Sequence, residues 1–369
     1  MPIQAAQRDV MGKTGPTPFL QLRGIVKQFG DFVAVDGVEL DIAEGEFFTI
    51  VGPSGSGKTT MIRMLVGMDQ PTNGDILLEG KRLNDVPANR RPTCMVFQSL
   101  ALFPHRSVGQ NIEFPLKIAG VDPRRRRERA EQLLVQLRLP IDYYAKSVNQ
   151  CSGGERQRIA LARALAFDPQ ILFFDEPLSS LDFRLRKALE KELKDIHRET
   201  GKTFVYITHS LEEAMVMSDR IGIMRAGGMV QVGSPHEIYN EPINKFVAEF
   251  MGEVNTREVE RCDEHRVRSV TDGHEYTVTR SLQGFERGFI IVRPEVVKLG
   301  EAAKDLSNRV EGTLFNDYAL GSRQQYQVRG ASDGYHWLVE RLQDEPYDGP
   351  RGSAVVIGWR PEDSIVVPS

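Results

Sequence analysis

An apolar run, Phe47–Val51, opens directly onto Gly52-Pro53-Ser54-Gly55-Ser56-Gly57-Lys58-Thr59-Thr60, and helical spacing follows at once in MIRMLVGM. Strand, glycine-rich turn and helix in that order leave few folds open. Glycines let the backbone bend until successive N–H groups point at one place, and the start of a helix adds partial positive charge there. Such a turn is built to hold an anion. The lysine and hydroxyls that close it specify phosphate: Lys58 is expected to reach the β- and γ-phosphates of a nucleotide, and the Thr59 hydroxyl to coordinate Mg²⁺.

A second element answers the first. Ile171-Leu-Phe-Phe-Asp175-Glu176-Pro177 is an apolar run ending in two acids. On a buried strand this puts both carboxylates at the exposed C-terminal end, where open α/β sheets bind ligands. Asp175 is then placed to hold Mg²⁺ through water, and Glu176 to polarise an attacking water, because phosphoryl transfer asks for positioning and charge stabilisation. An acidic pair after a strand is also a common helix cap; its coupling to Gly52–Thr60 favours the site.

The rest of the chain fits a layered α/β arrangement. Leu20 to about Leu40 reads as strand, turn, strand, and Phe97 to Leu165 as mostly helical, with Asp122-Pro123 as an N-cap and first-turn proline. A long charged helix is expected from about Phe183 to Glu199, a strand over Thr203–His209, and a hairpin in IGIMRAGGMVQVG. Strands alternating with helices predict a parallel sheet covered on both faces. After about Met251 short strands with glycine turns take over. Val292-Arg293-Pro294-Glu295 and Trp359-Arg360-Pro361-Glu362, each followed by β-branched residues, suggest two copies of one small β unit.

Composition narrows the possible classes. The net charge of −4 offers no general attraction to nucleic acid. The run Arg124–Arg127 is expected to be the solvated face of a helix, since Glu128 and Glu131 follow it. Three widely separated cysteines show no metal or redox spacing, which suits a reducing compartment. No apolar run has the length of a membrane span, and residues 1–17 lack the apolar core of a signal peptide, so they are read as a flexible N-terminus.

Ser152-Gly153-Gly154-Glu155, shortly before Asp175, resembles the signature sequence of ABC ATPases. Phe29 stands where that family has an aromatic residue that stacks on adenine, Gln98 where it has its Q-loop glutamine, Ser179-Ser180-Leu181-Asp182 where it has its D-loop, and Thr208-His209 where it has its switch histidine. The resemblance implies an α/β P-loop NTPase of the ABC cassette type, with a parallel-sheet core, an antiparallel β subdomain and a helical subdomain over about 99–165. It implies ATP and Mg²⁺ as ligands, with Thr59, Gln98 and Asp175 around the metal and Glu176, His209 and Gln98 serving hydrolysis. It also implies a head-to-tail homodimer in which Ser152–Glu155 of one copy close on nucleotide held by the other, with Ser180 and Asp182 in the D-loop. Two residues depart from the usual pattern. Cys151 replaces leucine, which suggests a small buried hydrophobe, and Glu155 stands where glutamine is commonest.

The motifs exclude other branches. No Asn-Lys-x-Asp motif occurs for guanine, and Gln98 and Ser152 are too close for the inserted coiled coil of chromosome and repair ATPases. The resemblance leaves an importer ATPase at the cytoplasmic face of the inner membrane, docked on separate permease subunits and indirectly served by a solute-binding protein, with no nucleic acid. The segment after Gln98, with Asn111–Ile118, is expected to press on those subunits. The cassette is placed at 18–250, followed by an all-β OB-like (TOBE) regulatory domain at 251–369. Leu181-Asp-Phe-Arg-Leu-Arg-Lys and Phe250-Met-Gly-Glu-Val-Asn look most similar to spermidine/putrescine importer subunits. Ferric ion, phosphonate, sulfate or sugar import is the alternative, and a nucleic-acid ATPase a more distant one.

Overall fold

The structure, a computed structural model, describes residues 18–179, 181–332 and 334–368. The segment 1–17 and Ser180 of the expected D-loop lie outside the described residues. The chain forms two compact units that divide between Pro235 and His236.

The first unit begins with a hairpin, β1 (Leu20–Phe29) and β2 (Phe32–Ile42), followed by β3 (Phe47–Val51) and α1 (Lys58–Leu65). Two short strands, β4 (Asn73–Leu78) and β5 (Lys81–Arg82), complete a four-stranded antiparallel sheet in the order β2-β1-β4-β5. Then come β6 (Thr93–Val96), the helices α2 (Val108–Ile118), α3 (Pro123–Gln136) and α4 (Gly153–Ala166), and β7 (Ile171–Asp175). The unit ends with α5 (Phe183–Thr200), β8 (Thr203–Ile207), α6 (Leu211–Met217), β9 (Arg220–Arg225) and β10 (Gly228–Gly233).

The central sheet has the order β10-β9-β3-β8-β7-β6. All its pairs are parallel except β10 with β9. Because β3, β6, β7 and β8 run the same way, the segments that follow them emerge on one edge of the sheet. Those segments carry Gly52–Gly57, Gln98, Glu176 and Thr208–His209. Burial on both faces explains why β3, β7 and β8 read as nearly continuous apolar runs. Phe47, Phe174 and Phe204 pack into one core with the helices, while their neighbours Phe48, Phe173 and Val205 pack into the other, with the antiparallel sheet. Each such fully buried side chain contributes about 1.5–3 kcal/mol.

Local signals set the helical ends. Asp122 caps α3 by accepting from the Arg124 N–H at 2.9 Å, with Pro123 in the first turn. Ala130, Leu133 and Leu134 form its buried stripe, continued by Leu137 and Leu139 just past its end. Arg124 pairs with Glu128 and Arg127 with Glu131 one turn on, which makes this run a solvated face, although Arg126 turns inward to Glu113. At the far end of α1, buried Arg91 donates to the Met64 and Leu65 carbonyls at 2.7 and 2.8 Å, satisfying groups the helix leaves open.

Two short helices, α7 (Pro235–Asn240), whose first residue is the last of the first unit, and α8 (Lys245–Phe250), open the second unit. Two five-stranded antiparallel sheets follow and share one apolar core around Trp337, Trp359 and Tyr276. The two echoed sequences end equivalent strands, Arg287–Val292 and Ala354–Trp359. The strand after each copy pairs with the strand before the other: Ser364–Pro368 with Arg287–Val292, and Lys298–Leu299 with Ala354–Trp359. The repeat is therefore an exchange of strands between two similar units.

Candidate active site

The turn after β3 is held on both sides. Gly57 has φ 101°, and a Cβ there would lie 2.4 Å from the Ala34 carbonyl oxygen; one on Gly52 would lie 2.3 Å from that of Met224. Only glycine lets β2 and β9 approach so closely. The Gly227 N–H donates to the Ser56 carbonyl at 3.1 Å, fixing the turn to the β9–β10 hairpin. Lys58 opens α1 but is folded back: its Nζ donates to the Gly52 and Pro53 carbonyls at 2.8 and 3.0 Å and to Ser56 Oγ at 3.3 Å. Burial lowers its pKa, opposed by the charges of Glu176 and Asp175. The ammonium is therefore poised for an anion that would replace the loop carbonyls.

Asp175 ends β7, and Glu176 follows in the left-handed region at φ 47°. That is a strained backbone for a residue with a Cβ. The Glu176 N–H donating to the Ile207 carbonyl at 2.9 Å holds it there. From this position Glu176 Oε2 lies 3.1 Å from His209 Nδ1. Ser179 Oγ donates to the Glu176 carbonyl at 2.9 Å and accepts from Gln98 Nε2 at 3.1 Å. The structure thus brings Gln98, Ser179, Glu176 and His209 into one hydrogen-bonded row across the ends of β6, β7 and β8.

Burial, then the neighbouring Glu176, pushes the Asp175 carboxyl up, and Lys58 pulls it down. Two carboxylates side by side with one ammonium leave negative charge that a divalent cation would neutralise. The Thr59 hydroxyl, Gln98 amide and Asp175 carboxylate offer oxygen donors of the hard type that Mg²⁺ takes. Among the described residues no group of three or more His, Cys, Asp or Glu side chains could hold a metal by itself. A metal at Asp175 would therefore draw on the Thr59 and Gln98 oxygens and on the nucleotide.

Ser152 and Glu155 form a reciprocal cap at the start of α4. The Glu155 N–H donates to Ser152 Oγ at 3.3 Å, and the Ser152 N–H donates to Glu155 Oε2 at 2.6 Å. Tyr143 donates to the other carboxylate oxygen at 2.8 Å, and the Lys146 ammonium stands 3.9 Å from Oε2. This explains glutamate at the position: it completes the cap, and the Ser152 N–H holds its carboxyl below the ordinary value. Gly153 and Gly154 pack against Leu181 and Leu185 at the start of α5, whose N-cap is Asp182, accepting from the Leu185 N–H at 3.0 Å. Side-chain bonds of Ser152 and Glu155 stay within the α4 start and the residues before it. None reaches Gly52–Thr60 among the described residues.

Phe29 ends β1 and is 51% exposed, with the Lys27 ammonium 4.9 Å from its ring centroid. Cys151 is buried in the helical core and burial pushes its thiol up, so it is the small hydrophobe expected. Asn111 departs from expectation. It is fully buried, accepting from the Phe103 N–H at 2.8 Å and donating to the Phe103 and Ser107 carbonyls, so it clamps the segment after Gln98 from inside. Within Asn111–Ile118 only Lys117 and Ile118 are exposed. Sequence reasoning also missed Tyr143, Lys146, Arg186 and Glu213, which touch site residues from neighbouring elements. The Ser-x-x-Glu spacing at Ser152 and again at Ser210 was the available signal.

Comparison with known proteins agrees with this geometry. The pattern of the family described as ABC transporter matches residues 35–179, and that of the TOBE domain residues 290–367. The spermidine/putrescine import ATP-binding protein of Rubrobacter xylanophilus is 39% identical over 371 residues, spanning 98% of this chain and 97% of that protein. That of Pseudomonas aeruginosa is 46% identical over 298 residues, 79% of this chain and 82% of the relative. Among solved structures, a dimeric bacterial ABC transporter cassette aligns with a TM-score of 0.52 and 32% identity, covering 58% of this chain and 98% of that one. The same cassette in a post-hydrolysis state with ADP and phosphate aligns equally well. Among the described residues no helix is long and apolar enough to cross a membrane. With relatives this similar along nearly its whole length, the chain belongs to the family of ATP-hydrolysing subunits of ABC transporters.

Proposed function

We propose that the chain powers import of a polyamine, spermidine or putrescine, through separate membrane subunits on which it docks peripherally. The observation that carries the ATPase half is the convergence of the Gly52–Thr60 turn, Asp175, Glu176 and His209 on one edge of the parallel sheet. The polyamine half rests on the names of the relatives.

In this reading the N–H groups of Gly55–Thr60 cradle the phosphates of ATP, and Lys58 turns from the loop carbonyls to meet them. Phe29 stacks on the adenine. Mg²⁺ held near Thr59, Gln98 and Asp175 supplies charge neutralisation at the phosphates. Glu176, oriented by His209, accepts the proton of the attacking water. With Nδ1 engaged by Glu176, the Nε2 of His209 is left for the γ-phosphate. A second copy presents Ser152–Glu155, where the N-terminus of α4 adds positive character. Closing of the pair is then a population shift driven by ATP, and product release reverses it.

The test pairs two measurements. Glu176→Gln should bind ATP like the parent while hydrolysis falls at least a hundredfold, and cells carrying it as their only copy should lose uptake of labelled spermidine. Parent-rate hydrolysis by the variant would remove Glu176 from its role. Undiminished spermidine uptake would remove the polyamine.

A further inference from the structure

Behind His209 lies a buried carboxylate with no part in the chemistry above. Glu213, on α6, is 2% exposed. Its Oε2 accepts from the Thr208 hydroxyl at 2.7 Å and from the Tyr206 hydroxyl at 2.9 Å. Thr208 Oγ1 in turn accepts from the Ser210 N–H at 2.9 Å, and Ser210 Oγ accepts from the Glu213 N–H at 3.3 Å. Both neighbours of His209 in the chain are thus anchored to Glu213.

The same carboxylate reaches the other side of the site. Its Oε1 lies 3.9 Å from Arg186 Nε on α5, and Arg186 donates through Nη2 to the Leu181 carbonyl at 3.0 Å. Leu181 in turn donates its N–H to the Leu178 carbonyl at 3.2 Å, within the turn whose Ser179 holds Glu176. The path from His209 through Glu213 and Arg186 to Leu181, and back through Ser179 to Glu176, closes a ring around the Glu176–His209 contact. A charge left unpaired in such a place is costly, so the two ends of the pair constrain each other.

We infer that Glu213 and Arg186 are positioning residues that lock the His209 turn to the Leu181–Asp182 turn, so that displacement of one moves the other and sets the Glu176–His209 geometry. This rests on the ATPase reading of the site. The pair touches neither nucleotide nor water; it decides whether the groups that do so are aligned. An amide at 213 carries no charge to pair with Arg186, and with its oxygen kept on the hydroxyls its NH₂ faces the guanidinium, donor against donor, so the link to Arg186 is lost.

The test is steady-state hydrolysis and ATP binding by the full chain carrying Glu213→Gln, Arg186→Met, both together, or Arg186→Lys. Each single change should lower kcat about tenfold with KM for ATP within about twofold, as misalignment does. The double variant should be no slower than the worse single, because one link is broken either way. Arg186→Lys should regain part of the loss. Arg186 is partly exposed, so its variants carry the test should Glu213→Gln fail to fold. Folded variants with kcat within twofold of the parent, or losses that multiply, overturn the coupling alone. A parent chain that binds no ATP overturns the ATPase reading and the inference with it.

Discussion

Glu176 Oε2 and His209 Nδ1 stand 3.1 Å apart although they follow different strands, β7 and β8, which pair in parallel. The contact exists because Glu176 takes a left-handed backbone and its N–H is held by Ile207, the last residue of β8. One strand end therefore fixes both partners. Replacing His209 by alanine leaves the phosphate loop intact and frees the carboxylate. We expect kcat for ATP to fall about a hundredfold with KM within about twofold. A rise in KM with kcat unchanged would instead make His209 a ground-state contact.

The glycine turn gives a prediction of another kind. At Gly57 an added Cβ meets the Ala34 carbonyl at 2.4 Å, and φ is 101°. Neither carbonyl nor turn can yield without moving β2 or α1. Gly57→Ala should cost about 1–3 kcal/mol through the clash and further strain through the backbone. Denaturant midpoints and ATP affinity should both fall. Alanine tolerated at parent stability would mean that the turn moves freely.

How far the sequence could be read follows from what each residue depends on. Phe47–Val51, Ile171–Asp175 and Thr203–Ile207 are legible because strands buried on both faces need nearly continuous apolar runs, and each run ends in or leads directly into the residues of the site. Gln98 and His209 were found through family spacing, since a lone glutamine or histidine carries no local signal. Asn111 was misjudged because helical period shows that α2 has an inner and an outer face without saying which residues face inward. Arg186, and its pairing with Glu213, were invisible for a different reason. Their pairing depends on how α5 and α6 dock, which no local pattern encodes, while the Ser-x-x-Glu caps were legible and went unread.

Glu155 links the cap of α4 to pH. Its carboxyl is held below the ordinary 4.5, chiefly by the Ser152 N–H. A depressed folded-state pKa contributes stability above the unfolded value and loses it as pH falls through the folded one. Glu155→Gln keeps the cap's shape and removes the charge. The parent should therefore melt higher than the variant at neutral pH, by the small amount a first-turn carboxylate contributes, about 0.3–1 kcal/mol at low salt. The gap should close as pH drops below 4.5. A gap that stays the same from neutral pH through acid would assign the difference to packing.

The last prediction concerns which copy supplies the α4 start. Ser152 and Glu155 bond to each other and to Tyr143, and none of these contacts reaches the Gly52–Thr60 turn of the same chain. If the α4 N-terminus acts on nucleotide held by a second copy, the two halves of the site can be damaged separately. Lys58→Met spoils the phosphate turn, and Ser152→Arg blocks the α4 start with bulk and charge. Each variant alone should be inactive, since both sites of its symmetric pair carry the defect. In an equal mixture about half the pairs are mixed, and each mixed pair has one site free of either change, so hydrolysis should return to about a quarter of the parent rate. Recovery on mixing requires the two surfaces to come from different chains. A mixture as inactive as its components, with mixed pairs shown to form, would require either a site completed within one chain or two sites that fire only together, and a covalently linked pair carrying both changes on one half separates these: the first leaves it half active, the second silent.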